Sequence, residues 1–233
     1  MRNNSFATKG DAVIVTGAAG GIGSATVENL VKQGIFVIAV DKNGDALSKT
    51  CKSINPDGKL IEMITADLTS EEECQAICEQ VKSKSIRLKG LVNNAAVGAF
   101  NMSVESTSFA DWQRIIAINL TSLYLMAKYS IPLIRSAGGG AIVNISSIHA
   151  YATSTGVAPY ASAKGAVLTL TKTMALDLAP DKIRVVCIIP GATDTPMLRQ
   201  HAEREGKSLA ELGFPPGDSA IGRIAQPEEV ADV

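Results

Sequence analysis

Tyr160 and Lys164 stand four residues apart, and Ser147 lies thirteen residues before the tyrosine. On a helix, four residues make just over one turn, so a phenol and an ammonium at this spacing leave the same face and share one small volume. A free tyrosine titrates near pH ~10, and a fixed positive charge beside it favours the phenolate and draws that value toward neutrality. A tyrosine in that state is a general acid/base for the oxygen of an alcohol or a carbonyl. Long helices often carry a Tyr and a Lys at this interval, so the pair gains meaning only from the elements that place it.

The first of these elements is a glycine-rich turn. Thr16-Gly17-Ala18-Ala19-Gly20-Gly21-Ile22-Gly23 follows an apolar run at 12–16 and opens an amphipathic stretch at 22–33. Glycines between a strand and a helix allow a tight turn and let the backbone approach a pyrophosphate, whose charge the first helical amides meet. No Lys-Ser/Thr pair follows the glycines, which excludes a P-loop. Asp41 ends the next apolar run, eighteen residues after Gly23. A carboxylate there accepts hydrogen bonds from adenosine ribose hydroxyls and repels a 2′-phosphate. Lys42 is the one neighbour able to soften that repulsion, and the turn carries no Arg, so NAD is expected in preference to NADP.

The wider pattern supports such a turn. β-Branched runs at 12–16, 35–40, 59–65, 90–93, 141–146 and 184–189 read as strands, apolar enough to be buried on both faces. Amphipathic stretches at 22–33, 46–53, 70–83, 109–135 and 159–179 read as helices. Ser70 and Glu73 form a capping-box signature, with Glu71 and Glu72 where the helix dipole favours acids. The alternation predicts an α/β fold: one Rossmann-like domain over 1–233 with a doubly wound parallel sheet. A longer insertion at 193–221, weakly helical at 197–212 and broken by Phe214-Pro215-Pro216-Gly217, suits a lid over a substrate. Pro227-Glu228-Glu229-Val230 starts a further helix, yet the sequence stops at Val233, so the natural chain is expected to continue or its last element to be absent.

Composition narrows the partners. The 233 residues, nearly half of them apolar and with net charge −1, suffice for one well-buried domain and show no basic run suited to nucleic acid or an anionic membrane. The polar start at 1–9 lacks a secretory core, and four cysteines, Cys51, Cys74, Cys78 and Cys187, make no disulfide framework at this length. A reducing cytoplasm is the expected location. Cys74 and Cys78 share a helix face but have no His or third Cys nearby, so no metal site is expected.

The glycine turn, Asn93-Asn94-Ala95-Ala96, Asn119, Ser147, Tyr160, Lys164 and Pro190-Gly191 together resemble the short-chain dehydrogenase/reductase family, in order and spacing, from Gly10 to Val233. The resemblance implies an NAD-dependent oxidoreductase. Tyr160 would be its acid/base, Lys164 would lower the phenol's pKa and bond the nicotinamide ribose, and Ser147 would hold the substrate oxygen. Asn119 would anchor water between Lys164 and solvent. Gly17, Gly21, Ile22 and Gly23 would cradle the pyrophosphate, and Asp67 and Leu68 would border the adenine. Asn94 would sit by its ribose, Thr193 and Thr195 would meet the nicotinamide amide, and Pro190 and Gly191 would turn beneath that ring. Ser146 competes with Ser147 on sequence grounds, and the family's thirteen-residue offset favours Ser147. Ala96 departs from the family's usual Gly, adding a methyl near the cofactor, and the C-terminal helix and seventh strand that the resemblance implies are expected to be missing.

His149, two residues beyond Ser147, could face the substrate, where an imidazole suits a carboxylate or a polyol hydroxyl. The resemblance also implies a homodimer or homotetramer paired through the long helices. The expected reaction interconverts a secondary alcohol and a ketone. Alternatives are a non-catalytic NAD-sensing protein of the same fold and an NADPH-dependent 3-oxoacyl reductase.

Overall fold

The computed structural model describes residues 7, 8, 10–212 and 222–233, so Phe214-Pro215-Pro216-Gly217 and the rest of the lid insertion beyond 212 lie outside the described residues. Six strands, β1 (Ala12–Thr16), β2 (Phe36–Asp41), β3 (Ile61–Thr65), β4 (Leu88–Asn93), β5 (Gly140–Ile145) and β6 (Ile183–Ile188), form one sheet in the order β3-β2-β1-β4-β5-β6. Every ladder is parallel, with Ile14 opposite both Ile38 and Leu91. The chain winds outward from β1 through β3, then returns to β4 and winds the other way. The crevice at the carboxyl ends of β1 and β4 is thus the topological switch point, where ligands of such sheets bind.

Helices α1 (Gly21–Lys32), α2 (Gly44–Ile54), α3 (Glu71–Ser83), α4 (Phe109–Ile116), α5 (Ser122–Ser136) and α6 (Ala158–Leu178) cover both faces, followed by α7 (Pro196–Glu205), α8 (Leu209–Leu212) and α9 (Pro227–Ala231). The pleat divides the core. Ile14, Ile38, Leu91 and Ile142 pack with Ile77 of α3, Met126 of α5 and Leu178 of α6. Val13, Val15 and Val37 pack on the other side with Val27 and Leu30 of α1 and Leu47 of α2. Burial of these side chains, each contributing about 1.5–3 kcal/mol, dominates the stability of such a sheet. β6 lies at the sheet edge and leaves Val186 49% exposed.

Two expectations are corrected. The helix expected over 109–135 is two helices joined by a π turn at Ala117–Thr121, although apolar spacing continues through the break. The capping box of α3 is half formed: Ser70 Oγ accepts from Glu73 N–H at 3.2 Å, but the Glu73 carboxylate accepts from Asp67 N–H at 2.8 Å. That bond draws the acid toward the preceding loop. A reciprocal box occurs instead on α9, between Gln226 and Glu229. No helix among the described residues is long and apolar enough to cross a membrane.

Candidate active site

The turn after β1 is built so that only glycine fits. Gly17 has φ +64°, and a Cβ on it would lie 2.8 Å from Ala95 Cα; one on Gly23 would lie 2.1 Å from Gly17 O. Asn94 holds the turn to the end of β4, its Nδ2 donating to Thr16 O at 3.0 Å and Gly17 O at 3.1 Å. Thr16 Oγ1 accepts from the Asn94 and Ala95 amides. Asn94 is therefore a brace of the turn. α1 begins at Gly21 with no side-chain cap and no acid in its first turn, whereas Asn43, Ser70 and Ser108 cap α2, α3 and α4. Uncapped amides beside Ile22 and Gly23, in a cradle a Cβ would fill, fit the pyrophosphate of a dinucleotide.

Asp41 closes the other side of this turn, accepting from Ala19 N–H at 3.0 Å and Asn43 N–H at 2.9 Å. The ammonium of Lys42 does not soften its charge, because it pairs with Asp67 at 2.5 Å. Lys42 and Thr69 together pull the Asp67 carboxyl down to about 2. Leu68 buries its side chain in the core.

At the carboxyl end of β5 the two serines separate. Ser146 Oγ is buried and donates to Lys164 O at 2.8 Å. Ser147 Oγ accepts from His149 N–H at 3.3 Å, which leaves its own proton free to point elsewhere. Tyr160 and Lys164 come from the first two turns of α6, which Pro159 helps to start. Lys164 is 2% exposed, and burial pushes its ammonium down to about 8. Its Nζ donates to Ile145 O at 2.9 Å and stands 5.7 Å from the centroid of the Tyr160 ring.

Burial pushes the Tyr160 hydroxyl up, and the group acting against it is the Ser147 hydroxyl. The lysine is itself desolvated and spends a proton on the strand carbonyl, so it shares the volume with the phenol without a hydrogen bond to it.

Asn119 lies in the π turn, 1% exposed. Its Nδ2 donates to Val97 O at 3.1 Å and Ile115 O at 3.0 Å, and its Oδ1 accepts from Val97 N–H at 3.2 Å. Both amide protons are thus committed to the protein. The side chain ties the loop after β4 to α4.

Thr193 and Thr195 also have employment within the chain. Thr193 Oγ1 donates to Gly191 O at 3.2 Å, and its strand bridge with Ala225 fastens the chain beyond the lid. Thr195 Oγ1 accepts from Leu198 N–H at 3.4 Å and so caps α7. Its methyl rests on the glycine turn, where a Cβ on Gly21 would lie 2.8 Å from Thr195 Cγ2.

Two features were not anticipated from sequence. Beneath the site, Asn93 Nδ2 donates to Asn144 Oδ1 and Asn144 Nδ2 to Thr171 Oγ1, both at 2.9 Å, joining β4, β5 and α6 by a buried polar chain. An Asn inside the apolar run of β5 was the signal for it. Above the site, the rings of Phe100 and His201 stack with centroids 3.7 Å apart and planes 6° from parallel. Asn101 Nδ2 donates to Glu205 Oε1 at 2.9 Å. These contacts latch α7 onto the loop after β4. His149 stands edge-on to Tyr160, with centroids 5.8 Å apart. Cys74 and Cys78 lie in the core, where burial pushes their thiols to about 12 and about 11.

A parallel sheet with a glycine cradle at its switch point, and a Ser, Tyr and Lys cluster at the next strand end, defines a nucleotide-dependent enzyme of the doubly wound class. The family model described as short chain dehydrogenase matches residues 11–206, and the chain belongs to that family. It is accordingly an oxidoreductase of CH–OH groups, on a fold that binds a nicotinamide cofactor. Cyclopentanol dehydrogenase of Comamonas sp. (strain NCIMB 9872) is 36% identical over 219 residues, 94% of this chain and 86% of that protein. Among solved structures, the ligand-free aldohexose dehydrogenase of Thermoplasma acidophilum has a TM-score of 0.85 at 32% identity, covering 96% of this chain and 85% of that one. The 3-ketoacyl-(acyl-carrier-protein) reductase of Brucella melitensis, complexed with NADH, has a TM-score of 0.84 at 29% identity over 96% of this chain and 88% of that one.

Proposed function

We propose that the protein is an NAD-dependent dehydrogenase that interconverts a secondary alcohol and a ketone, with Tyr160 as its general acid/base. The observation that carries this reading is the gathering of Ser147, Tyr160 and a buried Lys164 with a pKa of about 8 at one strand end. In oxidation, the Tyr160 phenolate takes the hydroxyl proton of the alcohol. Ser147, whose oxygen is already occupied by the His149 amide, donates its proton to the same substrate oxygen and stabilises the charge that develops there. Lys164 turns from Ile145 O to supply positive charge to the phenolate, and its depressed pKa suits it to pass a proton near neutrality. A bound nicotinamide would supply the redox chemistry, as acceptor of the hydride from the carbinol carbon.

Gly17, Gly21, Ile22 and Gly23 would hold the pyrophosphate, Asp41 would receive the ribose hydroxyls, Asp67 and Leu68 would border the adenine, and Asn94 would brace the turn beside its ribose. Thr193 and Thr195 would meet the nicotinamide amide. Asp41, with Lys42 paired to Asp67, favours NAD over NADP. The names of the relatives, cyclopentanol and aldohexose dehydrogenases among them, support a small cyclic or polyol alcohol as substrate. The insertion at 193–221 serves as the lid, and the protein works in the cytoplasm as a homodimer or homotetramer.

The test is a panel of secondary alcohols and ketones followed by NADH absorbance. Tyr160→Phe lowers kcat by about 10²-fold or more while the Kd for NADH stays within about twofold. Turnover surviving in that variant sinks the reading.

A further inference from the structure

The described side chains that surround Tyr160 include one whose chemistry the reaction above does not use. His149 lies on the short 3₁₀ turn Ile148–Ala150, held by its own amide to Ser147 Oγ and by Ala150 N–H to Ser147 O at 2.9 Å. Its ring is edge-on to the Tyr160 ring, with planes 81° apart. Ser147, His149 and Tyr160 therefore border one patch, and the first and last of these converge on the substrate's reacting oxygen.

The imidazole's surroundings limit what it offers. His149 Nδ1 lies 3.3 Å from Thr153 Oγ1, so the Thr153 hydroxyl serves that nitrogen in either tautomer. Nε2 has no protein partner among the described residues and is open to a ligand. Burial pushes the ring's pKa below its ordinary value, which keeps it neutral near pH 7. A hydroxyl both donates and accepts, so it pairs with Nε2 in either tautomer.

We propose that His149 determines specificity by hydrogen bonding to a second hydroxyl of the substrate, next to the carbinol that is oxidised. The substrate class is then a vicinal diol, and in reverse an α-hydroxyketone. The second hydroxyl is unchanged in the reaction: the reacting carbon loses its hydride to NAD, and its hydroxyl proton goes to Tyr160. This inference rests on the dehydrogenase reading given above.

The experiment compares cyclohexanol with cis- and trans-1,2-cyclohexanediol in wild type, His149→Phe and His149→Gln. Wild type favours one of the diols in kcat/KM. His149→Phe lowers the diol-to-cyclohexanol ratio by about tenfold or more, because the hydroxyl is left unpaired. His149→Gln, which restores a hydrogen-bonding group at similar reach, recovers much of it. An unchanged ratio in His149→Phe, or a wild type that uses cyclohexanol as well as either diol, overturns the proposal and leaves secondary-alcohol chemistry standing. Activity surviving in Tyr160→Phe overturns that underlying reading instead.

Discussion

Ser146 Oγ donates to the main-chain carbonyl of Lys164 at 2.8 Å, so the side chain that could pass for the substrate-binding serine is bonded to the helix that carries the acid/base pair. Adjacent hydroxyls therefore have different work. Ser146→Ala is expected to lower stability by about 1 kcal/mol, the ordinary value of one hydrogen bond, and to reduce kcat less than tenfold. Ser147→Ala is expected to leave the melting temperature nearly unchanged and to reduce kcat by about 10²-fold or more. Thermal melts beside steady-state kinetics separate the two, and the opposite pattern reverses the assignment.

Lys164 makes stability depend on pH in an unusual direction. Burial lowers its pKa from 10.5 to about 8. Below about pH 8 the folded protein holds a buried ammonium and bears the whole penalty. As pH rises from about 8 to 10.5, the folded chain gives up a proton that the unfolded chain still holds, so stability increases. The scale is ~3 kcal/mol, from 1.36 kcal/mol per pKa unit. The difference in unfolding free energy between wild type and Lys164→Met should change by about that amount across this window. Urea titrations at pH 7.5, 9 and 10.5 measure it, and a difference independent of pH refutes the buried charge.

Asp41 gives the third expectation. Wild type should bind NADH at least about tenfold more tightly than NADPH, since the carboxylate accepts ribose hydroxyls and opposes a 2′-phosphate. Asp41→Ala should narrow that gap from both sides. Titration of the two reduced cofactors by fluorescence measures it, and tighter binding of NADPH to wild type disproves the role.

The alternation of β-branched and amphipathic runs made the six strands, their parallel order and the glycine turn legible in advance, because burial on both faces imposes a continuous apolar pattern. Strand bounds moved by a residue or two, as from 35–40 to Phe36–Asp41. The π turn at Asn119 left no trace, since one inserted residue keeps the helix apolar on the same side. The latch of Phe100 on His201 joins positions 101 residues apart, and no local spacing encodes such a meeting. The bond from the Lys164 ammonium to Ile145 O was hidden for a related reason: sequence places the lysine on the face of Tyr160, but only the packed strand end brings that carbonyl beside it.

The seat of Thr195 on Gly21 carries a consequence for how such a chain can change. The residue that caps α7 uses the bare Cα of the cofactor turn as its floor. A side chain at 21 would lift that end of α7 and strain the latch beyond it, so damage to the turn would register in the seating of α7 as well as in cofactor binding. Turn and α7 are in this sense a single heritable part. An α7 transplanted from a relative would succeed only with a residue at 195 cut to the glycine beneath it.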